Sequence, residues 1–273
     1  MTNPLKQYFR RPALYLTLPS KGKFYPAGTL EMPENGELAV YPMTAIDEIT
    51  SKTPDALFNG NAVPEIIKSC IPAIKDPWAV PSIDMDAILV AIRAATSGNE
   101  LEINSTCPKC EEESKYSINL GFLLGSIKPN DYNVDLNLNE LVLKFKPLDY
   151  TQVNKGNMAQ FLIQREINAL QSIEDDQEKS KASGEVMKKL TQMNVELIVS
   201  VIESITTPHE VVTNKEFIVE FLNGCDKTTF NKIREHVLKL RESSNIKPQQ
   251  IKCVSCSHDY EQALVLNVSD FFD

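Results

Sequence analysis

Apolar residues follow two spacings along this chain, and each spacing predicts a different kind of element. In one stretch every second residue is apolar, as in Leu141, Leu143 and Phe145. Successive side chains of a strand point to opposite faces, so this alternation is typical of a half-buried strand. The stretch therefore predicts two strands, over 133–138 and 140–147, joined by a short turn.

The section from about Tyr150 to Ser244 is predicted to be helical, because its apolar residues recur at every third or fourth position. The polar run Glu174–Ser183, a loop or an exposed helical stretch, divides two apolar stripes that suit an antiparallel helical hairpin. Two further helices follow, since Thr213 to Glu216 matches a capping box, Gly224 can end that helix and Asp226 can cap the next. The first stripe comprises Met158, Phe161, Leu162, Ile167 and Leu170, and the second Val186, Leu190, Met193, Leu197, Val201 and Ile205.

The first third of the sequence mixes short strands with helices. If residues 84–96 form a helix, apolar side chains cover nearly all of its faces, which predicts a buried helix. Gly98 is placed to end it. Thr53 is placed to cap a helix with Pro54 at its first position. The predicted elements are strands over 14–18 and 38–41 and helices over 54–60, 63–71 and 84–96.

Composition narrows the classes of function. The 273 residues are 42% hydrophobic and 24% charged, without a run approaching the ~20 apolar residues of a membrane span. The opening residues MTNPLKQYFRRP lack the apolar segment of a signal peptide, which indicates a protein that folds and acts in a cytoplasm. With three histidines and no P-loop, G-x-S-x-G or H-E-x-x-H motif, the chain is predicted to have no catalytic residues and no small-molecule substrate.

Charge is spread unevenly along the chain. The net charge of −9 argues against a general nucleic-acid binder. Residues 1–30, the basic arm, nevertheless carry five basic residues and no acidic one. Such an arm suggests an extension that docks on a partner, with a solvated tail as the alternative. The last four residues, Asp270 to Asp273 (DFFD), are either a docking motif or a hydrophobic end folded onto the body.

Two Cys-x-x-Cys pairs carry the strongest chemical signal. Cys107 and Cys110 form the first pair, and Cys253 and Cys256 form the second. Four thiolates are a preferred ligand set of a tetrahedral structural Zn²⁺, and the two-residue spacing lets a tight turn aim both sulfurs at one metal. Each pair lies between stretches of strand character, as in zinc-ribbon hairpins, over 100–105 and 115–120 around the first and 249–252 and 260–267 around the second.

Other interpretations of the cysteines are open at this point. A redox motif would need a βαβ context, and structural disulfides would need an oxidising compartment. Separate weak metal sites or an empty site are further alternatives. His258 could replace one sulfur, although an ordinary loop histidine is the simpler interpretation. Cys70 and Cys225 fall in helical patterns and are interpreted as buried thiols outside the site.

Together these patterns predict an α+β protein. Small β elements of zinc-ribbon type are built from the two distant Cys-x-x-Cys hairpins, beside a helical section made of a helical hairpin and two further helices. The predicted segments are a basic arm with the first strand over 1–30, an α+β region with the first cysteine pair over 31–148, a helical region over 149–245, and the second cysteine hairpin over 246–273.

Four segments carry a resemblance to a known family. They are LPSKGKFY at 18–25, YPMTAIDE at 41–48, TPDALFNG at 53–60, and DMDAILVAIR at 84–93, the last leading through Gly98 and Asn99 to the first cysteine pair. Their order and spacing over about residues 14–120 are similar to those of the baseplate and tail-assembly proteins of contractile-tailed, T-even-like bacteriophages.

The resemblance implies a non-enzymatic role in building the phage baseplate hub, either as a hub subunit or as an assembly factor or chaperone for the hub and tail. The implied partners are other hub subunits and, as a further candidate, the tape-measure protein. The implied location is the host cytoplasm during assembly, with the virion tail baseplate as the later alternative. A zinc-ribbon adaptor for nucleic acid or transcription machinery is the alternative function, which the acidic run Glu111–Glu113 disfavours.

Overall fold

The computed structural model describes residues 4–53, 59–128, 132–172, 175–242 and 246–264. It combines helices with small antiparallel sheets, which confirms the predicted α+β class. The chain forms two compact units, one of residues 1–130 with 244–273 and one of residues 131–243. The second cysteine pair therefore belongs to the same unit as the first, while the predicted division into four segments stays a prediction.

The helices and strands are numbered here in chain order. The first unit contains β1 Leu14–Leu16, β2 Leu38–Val40, α1 Ala45–Ser51, α2 Ala62–Cys70, α3 Ser82–Ser97, β3 Glu100–Thr106, β4 Glu113–Asn119, α4 Leu120–Ser126, β9 Gln249–Lys252 and β10 Asp259–Gln262. The second unit contains β5 Leu136–Leu138, β6 Leu141–Phe145, α5 Tyr150–Ala169, α6 Asp176–Val201, β7 Ile202–Thr206, β8 Val211–Val212, α7 Lys215–Gly224 and α8 Lys227–Glu242.

Helix α3 lies at the centre of the first core. Its Ile88, Val90 and Ile92 are fully buried, and it packs against α2, β1 and β2. It ends before Gly98, whose φ of +88° favours glycine. The predicted elements of this region are thus confirmed apart from their end residues. The predicted helix over 54–60 lies mostly outside the described residues.

Helices α1 and α4 were not predicted from the sequence. Thr44 and Asp47 form a capping box at the start of α1, in which each side chain accepts from the other residue's backbone N–H. At the start of α4, the side chain of Asn119 accepts a hydrogen bond from the backbone N–H of Phe122. Both caps could have been found as sequence signals, because Thr, Asp and Asn are favoured at these positions.

A buried carboxylate fixes the loop that follows β1. Asp84, on the first turn of α3, has no exposed surface. Its Oδ1 accepts a hydrogen bond of 2.7 Å from the backbone N–H of Ser20, and its Oδ2 accepts one of 2.5 Å from Ser20 Oγ. The loop is therefore held against α3 by polar contacts, as buried polar groups require.

The basic arm folds back at Arg10. Its Nη1 donates to the carbonyl oxygen of Pro42 at 2.5 Å and lies 3.4 Å from Oδ2 of the buried Asp47. Its Nη2 donates to both the carbonyl oxygen and Oγ of Ser69, at 2.7 and 2.8 Å. Arg10 therefore stabilises its own unit, whereas the neighbouring Arg11 is exposed.

The second unit joins a four-stranded antiparallel sheet, in the order β5, β6, β7, β8, to four helices among its described residues. The predicted strand pair is confirmed, with a turn at Asn139, whose φ is +53°. Helices α5 and α6 pack together, with Gly156 against Leu197 near one end and an ion pair of 2.7 Å between Lys189 and Glu166 further along. This order of contacts is antiparallel, so the predicted helical hairpin is confirmed.

Two details of the predicted helical section are wrong. The second apolar stripe does not run on to Ile205, because α6 ends at Val201 and β7 follows at once, paired with β6 and β8. β-branched residues suit a strand as well as a helix face, and the neighbouring strands decide between them. The cap of α7 is Asn214 instead of Thr213, and Asn214 Oδ1 accepts from the backbone N–H of Glu216.

The remaining helix signals are confirmed. Helix α7 ends at Gly224, and Asp226 accepts hydrogen bonds from the backbone N–H groups of Thr228 and Thr229 at the start of α8. The polar run between the stripes is mostly an exposed helical stretch, because α6 begins at Asp176. Among the described residues, none of the helices has both the length and the apolar character of a membrane span.

Candidate metal centre

The two Cys-x-x-Cys segments adopt the same local structure. Each is a six-residue connection between antiparallel strands, closing the pair Thr106 and Glu113 in the first hairpin and Lys252 and Asp259 in the second. Strands flank each cysteine pair as predicted, and neither pair opens a helix as a thioredoxin-type motif would. The strand predicted over 260–267 ends at Gln262, and residues 265–267 lie outside the described residues.

Matching backbone hydrogen bonds shape the two turns. The N–H of Cys107 donates to Glu112 O, and the N–H of Cys253 donates to His258 O, at 3.0 and 2.9 Å. The N–H of Glu111 donates to the carbonyl oxygen of Cys107, and the N–H of Ser257 donates to that of Cys253. Both donors have a positive φ, +60° at Glu111 and +58° at Ser257. Two distant segments therefore present their cysteines in the same way.

The four sulfurs converge on one point. The Sγ atoms of Cys107, Cys110, Cys253 and Cys256 all lie within 4.8 Å of one another. Across the two hairpins, Cys107 Sγ is 3.7 Å from Cys256 Sγ and Cys110 Sγ is 3.6 Å from Cys253 Sγ. Four sulfurs at ~2.3 Å from a tetrahedral Zn²⁺ would be separated by ~3.8 Å. The donor set and its spacing therefore fit zinc.

Hydrogen bonds from the backbone favour the thiolate of one cysteine. The backbone N–H of Cys256 is 3.5 Å from Cys253 Sγ and, outweighing the effect of burial, helps to lower the pKa of Cys253 to about 7. At Cys110 a hydrogen bond from the backbone of Glu112 also lowers the pKa of the thiol. Hydrogen bonding with the other three sulfurs, together with desolvation, has the larger effect and raises this pKa to about 12. Crowded thiolates repel one another, and a divalent cation would supply the opposite charge.

A hydrogen-bonded relay joins the hairpins beside the sulfurs. Tyr260 donates its phenol proton to Oγ of Ser105 at 2.9 Å, and Ser105 donates in turn to Oε1 of Gln262 at 2.6 Å. Ser105 is buried, so these bonds are shielded from water. Sequence reasoning missed this relay, because nothing in the local pattern distinguishes Ser105 from any other strand serine.

Among the described residues, His258, Cys70 and Cys225 lie outside the sulfur cluster. His258 supplies a backbone carbonyl to the second turn and stacks near Tyr260, with ring centroids 6.4 Å apart, and it does not join the sulfur cluster. Cys70 is fully buried on α2, as predicted, and burial raises the pKa of its thiol to about 12. Cys225 is only half-buried and directly follows α7, so the interpretation as a buried thiol is wrong for this residue.

The chemistry open to such a centre is limited by its donors. Four thiolates complete a tetrahedral shell around Zn²⁺ and leave no position for a substrate or an activated water. Bound zinc would therefore act here as a cross-link between β3–β4 and β9–β10. The fold and this cluster define the class as an α+β protein with a four-cysteine candidate metal centre built from two β-hairpins.

Comparison with known families identifies the chain more closely. The family model described as "T4 bacteriophage base plate protein" matches residues 16–273, which is nearly the whole sequence. The chain belongs to this family and is a structural protein of the phage baseplate. The resemblance noted in the sequence is thereby confirmed. No curated protein and no solved structure gives a significant match.

Proposed function

We propose that this baseplate protein is a non-enzymatic subunit of the baseplate hub, or an assembly factor for the hub and tail, and that one structural Zn²⁺ holds its first unit together. The metal ligands are Cys107, Cys110, Cys253 and Cys256. The partners are other hub subunits, with the tape-measure protein as a further candidate. Assembly takes place in the host cytoplasm, and a hub subunit, unlike an assembly factor, then remains in the virion tail baseplate.

The convergence of the four sulfurs carries the zinc proposal. Cys110 and Cys253 are 143 positions apart in the sequence, yet their sulfurs are 3.6 Å apart. Cys107 and Cys253 are buried, which suits a ligand set that is part of the fold and not a surface site. Structural zinc contributes ~10–16 kcal/mol of apparent binding free energy in zinc-finger peptides, so occupancy would strongly stabilise the first unit.

Exposed apolar side chains support a role in subunit contacts. Phe122 on α4 is 84% exposed, and Tyr8 and Ile46 are also largely exposed. Burial of a large apolar side chain against a partner is favourable by ~1.5–3 kcal/mol. In the first cysteine turn, the acidic run Glu111–Glu113 would repel phosphates, so a protein partner fits this surface better than a nucleic acid.

Metal analysis tests the zinc proposal. Purified wild type is compared with Cys110→Ser and Cys256→Ser, and Cys225→Ser serves as a matched control outside the cluster. We expect one zinc per chain in the wild type and in the control, and loss of zinc with a lower Tm in both cluster variants. A wild type without metal, or loss in only one cluster variant, would contradict a shared site.

Mass spectrometry of purified virions and of tail-assembly intermediates tests the hub role. A subunit is present in both, whereas an assembly factor is present only in the intermediates. Absence from both preparations would contradict the proposal. Direct, salt-dependent DNA binding by the purified protein would favour the nucleic-acid adaptor instead.

A further inference from the structure

An apolar groove, open to solvent on one side, lies between helices α6 and α8 of the second unit. Its volume is about 380 Å³, within the range of small ligand pockets. Ile198 and Val201 from α6 and Val237 from α8 form a buried floor. Leu238 lines the groove and is 44% exposed, so the apolar surface continues to the rim.

Two arginines flank this apolar surface. Arg234 and Arg241 both line the groove, and they lie seven positions apart on α8, on the same face of the helix. Among the described residues, neither guanidinium has a carboxylate within ion-pair distance. Arg241 is also suited to the negative end of the helix dipole, but Arg234 lies too far from that end for the same explanation.

Helix α8 is basic in an acidic protein. It contains five basic and two acidic residues, although the whole chain has a net charge of −9. An arginine beside an apolar surface favours a ligand that combines an apolar or aromatic group with a carboxylate, because guanidinium groups bind carboxylates with two parallel hydrogen bonds. The groove therefore selects an aromatic and acidic segment.

The sequence itself contains a segment with this chemistry. Asp270 to Asp273 places two adjacent phenylalanines between two aspartates, and it lies outside the described residues. Aromatic side chains supply large contact areas, and the flanking carboxylates match the two arginines in number and charge. None of its residues belongs to the four-cysteine ligand set.

We propose that the groove between α6 and α8 binds the Asp270–Asp273 segment of a second copy of this chain. The phenylalanines occupy the apolar floor, and the aspartates pair with Arg234 and Arg241. The contact joins copies of the protein and is independent of zinc, because none of the cysteines in the cluster lines the groove. A protein without zinc could therefore still self-associate through the groove, and a protein that does not self-associate could still bind zinc.

Sedimentation equilibrium of the full chain tests the contact. Three double variants are compared with the wild type: Arg234→Glu with Arg241→Glu in the groove, Asp270→Lys with Asp273→Lys in the segment, and Lys232→Glu with Lys239→Glu as a control. The control changes the same charges at the same spacing on α8 but outside the groove. We expect reversible self-association of the wild type and the control, and association at least about tenfold weaker for the groove and segment variants.

A mixture of the two weakened variants provides the sharpest test. The acidic groove of one then faces the basic segment of the other, so we expect the mixture to associate although each variant alone does not. Several results would overturn the proposal. The first is a wild type that stays monomeric at every concentration, as it would if the segment occupied the groove of its own chain. The second is a control variant that associates as weakly as the groove variant. The third is a mixture that associates no better than each variant alone.

Discussion

At the residue scale, buried polar contacts explain why separate sequence segments belong together. Ser20 lies in LPSKGKFY and Asp84 begins DMDAILVAIR, and the structure joins these two family-like segments by two hydrogen bonds. Burial raises the pKa of the Asp84 carboxyl above its ordinary value of 3.8, against the opposing effect of the Ser20 hydrogen bonds. The folded state thus holds this proton more tightly than the unfolded chain does.

Asp84 should make the stability of the first unit depend on pH. Because its pKa is raised on folding, its contribution to the free energy of unfolding falls as the pH rises above 3.8. We expect the stability of the wild type relative to Asp84→Asn to decrease from about pH 5 to about pH 8. Urea unfolding followed by circular dichroism, which reports the helices of both units, measures this difference.

Asp226→Asn is the matched control for this experiment. Hydrogen bonds from Thr229 lower the pKa of the exposed Asp226 carboxyl, so its effect is lost only as the pH falls below the ordinary range. The difference in the free energy of unfolding between wild type and Asp226→Asn should therefore stay constant between about pH 5 and about pH 8. A constant difference for Asp84→Asn as well would show that its carboxyl is not titrating there.

At the element scale, the two cysteine hairpins are stabilised by more than a shared metal. Their turns have matching hydrogen bonds, and the Ser105 relay links strand β3 to β10. In the second unit, Lys215 at the start of α7 donates from Nζ to the backbone oxygens of Val199 and Ile202, where α6 passes into β7. The relay therefore joins two strands that are distant in the sequence, and Lys215 fixes the point where α6 ends and β7 begins.

Ser105→Ala tests the relay without removing a metal ligand. The substitution leaves Tyr260 and Gln262 without their shared partner, which should destabilise the first unit by about 1–3 kcal/mol. Zinc content should be unchanged, because no sulfur is altered. Ser117→Ala, on the exposed side of the same hairpin, should cost less than about 0.5 kcal/mol by the same urea unfolding measurement. Equal effects would argue that the relay contributes nothing specific.

Lys215→Met tests the junction between α6 and β7. Methionine keeps the length of the side chain but cannot donate to the two carbonyl oxygens, so we expect a loss of about 1 kcal/mol in thermal unfolding of the second unit. Lys227→Met, at the exposed start of α8, is the control and should have little effect. If both variants unfold at the same temperature, the lysine is not needed at this junction.

At the scale of the whole molecule, the second unit is an insertion in the sequence of the first. Residues 131–243 separate the two halves of a unit that contains all four clustered cysteines. A metal cross-link between distant positions restricts the unfolded chain, and the effect increases with the length of chain it spans. Zinc is therefore placed to stabilise the first unit while leaving the core of the second independent of it.

Chelation of the metal should affect the two units differently. We expect hydrogen exchange to become faster in β3, β4, β9 and β10 after zinc removal, and to change little in α5 and α6, which have their own packing contacts. Mass spectrometry of peptides after exchange measures the exchange rates of both units in one sample. Loss of protection in both units alike would contradict this independence.

The sequence by itself determined the features that depend on neighbouring residues. It predicted the cysteine turns with their flanking strands, the buried helix α3, the helical hairpin and the turn at Asn139, because spacing, capping and turn preferences act over a few positions. The caps of α1 and α4 are equally local, because Thr44, Asp47 and Asn119 are residue types favoured at these positions.

Only the tertiary structure decided which distant segments meet. Ile205 continues a helical spacing in the sequence, yet it lies in β7 because β6 and β8 offer backbone partners. In the same way, Ser105 gains its role from Tyr260, 155 positions away, and the sulfurs converge because two similar turns come together in one unit. Local preference is nearly equal between the alternatives at such positions, so long-range pairing and burial select the outcome.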